Sequence, residues 1–76
     1  MPESDREKFI RLANNRVSTA LKAINLIGNL SNRSNYDYTE EDVAKIFKAL
    51  NDELQTSRRR FETASGKKDT KKFKLD

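Results

Sequence analysis

The sequence predicts an all-α protein: an antiparallel helical hairpin, with helices over about residues 4–31 and 39–63, paired as a homodimeric four-helix bundle and followed by a disordered C-terminal tail. Three observations predict it. Two runs of apolar residues recur at helical spacing, each run opens on a capping box, and a short polar connector joins them. Ser4 with Glu7 opens the first helix, and Thr39 with Asp42 opens the second in an acidic variant of the same pattern. In both, side chains satisfy amides that the first helical turn leaves without carbonyl partners.

At 100° per residue, Ile10, Ala13, Val17, Ala20, Leu21, Ile24 and Ile27 fall in one sector of helix 1 and form a core face. A second apolar line, Leu12, Ala23, Leu26 and Leu30, lies far round the same cylinder and is interrupted by Arg16 and Thr19. One neighbour requires one stripe, so helix 1 has the pattern of an inner helix with two neighbours.

Helix 2 has a single narrow stripe, Val43, Ile46, Phe47, Leu50, Leu54 and Phe61, with Ser57 in its line and polar residues elsewhere. That is the pattern of an outer helix. A lone hairpin would leave one side of both helices bare, and a second copy would cover it, with Leu12, Ala23, Leu26 and Leu30 as the dimer interface. The alternative is a monomer in which a segment of the tail packs loosely as a third element.

The remaining side of helix 1 carries Arg11, Asn15, Ser18, Lys22, Asn25 and Asn29, spaced by 4, 3, 4, 3 and 4 residues, with Asn14 beside them. This stripe contains no acid. Solvated helix faces ordinarily mix Glu and Lys, which are good helix formers and pair across a turn. Asn is a poor helix former, at a cost of several tenths of a kcal/mol per residue relative to Ala. A surface that hydrogen-bonds phosphates, sugars or base edges would account for the pattern, with Arg and Lys supplying charge and Asn and Ser supplying donors and acceptors. A polar face that is merely solvated is the alternative.

Between the helices, Ser31 to Thr39 is rich in Asn, Ser and Asp, whose short side chains bond local backbone. Tyr36 and Tyr38 are expected to fold back over the end of the bundle with their hydroxyls in water, and a recognition loop is the alternative. Gly28 is either a C-cap or a point where another backbone approaches closely, and helix 1 is expected to continue past it to about Leu30.

A chain of 76 residues supports one domain at most, and it contains neither Cys nor His. Disulfides, thiolate nucleophiles and nearly every structural zinc arrangement are thereby removed, so no metal or cofactor is expected. The N-terminus is acidic and the longest apolar stretch, residues 23–30, is short and interrupted, so a soluble cytoplasmic protein without membrane contact is expected. The helical domain spans residues 1–64.

The formal charge is +4 and is unevenly placed. Residues 65–76 hold five lysines against two acids, with too little apolar surface to offset the entropy of ordering, and are expected to be a disordered basic tail. An antiparallel hairpin would bring Arg58, Arg59 and Arg60 beside Arg6, Lys8 and Arg11, making one end basic, with Lys67, Lys68, Lys71 and Lys72 extending from it.

The segment LIGNLSNRSNYDYTEEDV resembles one found in short prokaryotic proteins of no assigned activity, over about residues 9–61. By architecture the chain also resembles the Rop family of plasmid copy-number regulators, though the local match is as short as Phe9-Ile10-Arg11. That second likeness implies a dimeric four-helix bundle and RNA binding through a face of the first helices. Fold alone does not carry function.

Catalysis requires positioned groups with tuned acidity, and there is no His, no Cys and no Gly-rich phosphate loop. Glu40, Glu41 and Asp42 are explained by the dipole of helix 2. Ser18 with Lys22 is a pair at i, i+4 that would lie on an open convex surface. No catalytic residue is expected. The favoured function is nucleic-acid binding, to RNA or DNA, through Arg11, Asn15, Ser18, Lys22, Asn25 and Asn29 and through Arg58, Arg59, Arg60, Lys67, Lys68, Lys71 and Lys72. The alternative is a protein-interaction module, an adaptor or inhibitor, docking through the second apolar face of helix 1.

Overall fold

A computed structural model of the chain describes residues 2–65. Those residues are all-α: helix α1 spans Asp5–Gly28, a 3-10 turn follows over Asn29–Ser31, and helix α2 spans Glu40–Ser65, with no strand among them. The chain divides into two units, Met1–Asp37 and Tyr38–Asp76.

In the first unit the start of α1 is fixed by a reciprocal pair of hydrogen bonds. The Ser4 hydroxyl accepts from the Glu7 N–H at 3.1 Å, and the Glu7 carboxylate accepts from the Ser4 N–H at 3.0 Å. Asp5 and Glu7 place negative charge in the first turn, where the helix dipole favours it. The helix is 24 residues long, or about 36 Å at 1.5 Å per residue.

Gly28 closes α1 with φ −60° and ψ −29°, ordinary right-handed helical values. A methyl group added there would meet nothing within 4 Å. Gly28 is therefore not a left-handed cap. The chain tightens into the 3-10 turn and continues through Leu30, in line with the expected extent of the helix. Each residue of such a turn advances 120°, so Leu30 is displaced by about 40° from the line that an uninterrupted α-helix would have kept.

The connector is ordered by Asn32. Its side-chain oxygen accepts from the Ser34 N–H at 3.0 Å and from the Ser34 hydroxyl at 2.8 Å. Its backbone carbonyl accepts from the N–H groups of Asn35 and Tyr36, at 3.1 and 3.0 Å. This is the competition of short polar side chains with continued helix that the composition of the segment implies.

In the second unit Thr39 and Asp42 cap α2 in the same reciprocal manner as Ser4 and Glu7, at 3.1 and 2.9 Å. The helix runs 26 residues, Glu40–Ser65, to the last described residue and two residues past the expected end. The Ser65 hydroxyl donates to the Glu62 carbonyl at 2.8 Å, satisfying one of the acceptors that a helix C-terminus leaves open. Ser65 thus belongs to the helix, whereas the rest of the expected disordered tail, residues 66–76, lies outside the described residues.

Each helix carries its apolar residues at a 3.5-residue period. In α1 the positions are Ile10, Ala13, Val17, Ala20, Ile24 and Ile27; in α2 they are Val43, Phe47, Leu50, Leu54, Phe61 and Ala64, with the polar Ser57 in the same line. A seam with that period suits packing against another helix at a shallow angle. None of the described residues is buried. Leu12, Ala13, Ile27 and Leu50 are half-buried, whereas Leu21, Leu54 and Phe61 are 62%, 69% and 65% exposed.

Candidate nucleic-acid interface

Because α1 is continuous from Asp5 to Gly28, Arg11, Asn15, Ser18, Lys22 and Asn25 lie on one side of it, and all five are exposed. Asn29, the last residue assigned to the stripe, opens the 3-10 turn and is exposed too. Arg11 and Asn25 are separated by about 21 Å along the axis at 1.5 Å per residue. The side-chain amides of Asn14, Asn15, Asn25 and Asn29 have no hydrogen-bond partner among the described residues, and Lys22 has no ion pair among them. This side of α1 is a row of donors and acceptors open to solvent.

Arg11 is different. Its Nε donates to one oxygen of the Glu3 carboxylate at 2.9 Å, and a terminal guanidinium nitrogen donates to the other at 3.0 Å. The hydrogen bonds to Glu3 raise the pKa of Arg11 above its ordinary value. The stripe itself contains no acid, but one reaches it from the segment that precedes the helix. Sequence rules for helix faces look three or four residues along, and this pair spans eight, with Glu3 outside the helix.

Thr19 interrupts the second apolar line, yet its hydroxyl donates to the Asn15 carbonyl at 2.9 Å, so its hydrogen-bonding demand is met within the helix. A partner could cover Thr19 without leaving that donor unsatisfied. Along the same line Leu12 is half-buried, Ala23 and Leu30 are exposed, and Leu26 is 63% exposed.

The basic residues of α2 are not equivalent. Arg58 lies 3.7 Å from Glu62 in an i, i+4 pair, and Lys48 pairs with Asp52 at 3.0 Å. Arg59 and Arg60 have no ion pair among the described residues, and they border a shallow depression with Thr56, Thr63 and Ala64. In the first unit the Arg6 guanidinium lies 6.0 Å from the centre of the Phe9 ring, a cation–π contact between residues three apart on α1. Lys67, Lys68, Lys71 and Lys72 lie outside the described residues.

Among the described residues no group of three or more acidic, His or Cys side chains is placed to hold a metal ion, and no helix is long and apolar enough to cross a membrane. Ser18 and Lys22 are both exposed. Compared with protein-family models, curated proteins and solved structures, the chain matches none.

Proposed function

We propose that this is a small non-enzymatic protein that binds RNA or DNA through the polar side of α1, supported by Arg59, Arg60 and the lysines that follow α2. One observation carries the proposal: a continuous row of exposed Asn, Ser and Lys side chains whose amides and ammonium have no partner among the described residues. Pairing among the described residues does not account for Asn15 and Asn25 in one row of α1, and their propensity cost calls for a compensating gain; Asn29, at the C-cap, carries no such cost. Lys22 supplies charge for a phosphate, while Asn15 and Asn25 supply the bidentate amides that suit base edges.

The proposed binding form is a homodimer in which two antiparallel hairpins make a four-helix bundle. Most helical stability in proteins comes from packing of an amphipathic face, and these helices carry unburied apolar seams. A helical seam is the natural cover for a helical seam of the same period. The line Leu12, Ala23, Leu26 and Leu30 then packs on its symmetry mate, and the polar side of α1 stays outside.

The test is the salt dependence of binding to a random RNA and to a random duplex DNA. Log affinity should fall linearly with log salt, and Lys22→Gln should reduce the slope by about one unit for the phosphate contact it removes. Absence of salt-dependent binding to both would favour a protein partner on the exposed apolar line of α1.

A further inference from the structure

We propose that the Glu3 carboxylate occupies the position on Arg11 that a nucleic-acid phosphate takes, so that binding proceeds by displacement of an internal competitor. The inference rests on the proposed nucleic-acid function and adds a restraint on it. Two parallel hydrogen bonds of 2.9 and 3.0 Å join the guanidinium fork to both carboxylate oxygens. A phosphate diester presents two oxygens to the same fork in the same manner, so the two ligands compete for the same donors.

Glu3 is held near this position by the chain itself. It immediately precedes the N-cap Ser4, whose N–H is tied to Glu7, so the segment enters α1 in a fixed direction. The pair is open to water, with the two side chains 53% and 34% exposed. Exposed pairs are weak and salt-sensitive, which makes this one displaceable; its opposing effect on affinity is about fivefold at most. Of the two cations on the stripe, Lys22 is available without exchange and Arg11 only after Glu3 leaves.

The test compares the intact protein with Glu3→Gln, Arg11→Gln and the double variant by fluorescence anisotropy on a labelled RNA hairpin and a labelled DNA duplex at one low salt concentration. Glu53→Gln, on the exposed surface of α2, makes the same change in net charge and serves as the control. Glu3→Gln leaves the capping box intact, because the carboxylate in that box belongs to Glu7. The expected result is binding about two- to fivefold tighter for Glu3→Gln, a smaller gain for Glu53→Gln, and, when Arg11 is already Gln, a gain from Glu3→Gln no larger than that of Glu53→Gln. A gain equal to that of Glu53→Gln, or an excess over it that persists without Arg11, would overturn the inference. If the unaltered protein binds, Lys22→Gln weakens it and Glu3→Gln does nothing, the inference falls and the nucleic-acid function stands. If none of the proteins binds either probe, both fall.

Discussion

Thr39 and Asp42 cap each other: the threonine hydroxyl accepts the aspartate N–H at 3.1 Å while the aspartate carboxylate accepts the threonine N–H at 2.9 Å. The pair satisfies two donors that the first turn of α2 would otherwise leave to water. Thr39→Ala should therefore lower stability by about 1 kcal/mol, and Thr39→Ser by much less, as read from urea unfolding followed by circular dichroism. Asp42→Ala should cost a comparable amount. The double variant should cost less than the sum, because each substitution already breaks the reciprocal arrangement.

Gly28 sits in right-handed helical backbone with open space where a side chain would be. Gly28→Ala should accordingly stabilise the end of α1 by about 0.4–1 kcal/mol through the reduced entropy of the unfolded chain. A thermal melt raised by a few degrees is the expected result. A lowered melt, or loss of self-association, would mean that another backbone packs against this position in solution.

Homodimerisation predicts a melting temperature that rises with protein concentration, because assembly and folding are linked. Sedimentation equilibrium at micromolar concentration should give twice the chain mass. Leu26→Asp should shift that equilibrium to the monomer, since it places a carboxylate in the middle of the proposed seam. A monomer with a concentration-independent melt would contradict the bundle.

The parts of the fold that are legible in the sequence are those governed by local rules. Ser4 with Glu7 and Thr39 with Asp42 act within one turn, so residue type and spacing identify both helix starts. The exit from α1 is less legible, because the conformation of Gly28 depends on the residues after it, and here Asn32 gathers Ser34, Asn35 and Tyr36 into a turn only after three residues of 3-10 helix. Helix α2 extends at least two residues past the expected end, and there the Ser65 hydroxyl donates to the Glu62 carbonyl, a local bond that apolar periodicity does not report. For the candidate site, periodicity identifies the polar row on α1, whereas the Glu3 contact to Arg11 and the internal bond of Thr19 require side-chain geometry.

Removal of residues 66–76 takes away five lysines and leaves both capping boxes and every seam residue of α1 and α2 in place. The shortened protein should retain the helical content of residues 5–65, measured by circular dichroism. Its affinity for random RNA or duplex DNA should fall, and the salt dependence should flatten in proportion to the number of phosphates those lysines neutralise.

The central claim is that the polar row of α1 touches nucleic acid, and the side-chain amides of that row report on it directly. In a titration of ¹⁵N-labelled protein with an RNA hairpin or a DNA duplex, followed by NMR, the side-chain NH₂ resonances of Asn15, Asn25 and Asn29 should shift together with the backbone amides between Arg11 and Asn25. Asn15→Ala with Asn25→Ala should raise the melting temperature slightly through helix propensity while reducing discrimination between preferred and random sequences. Shifts confined to other parts of the chain, with side-chain amide resonances of the row unmoved at saturation, would contradict the account.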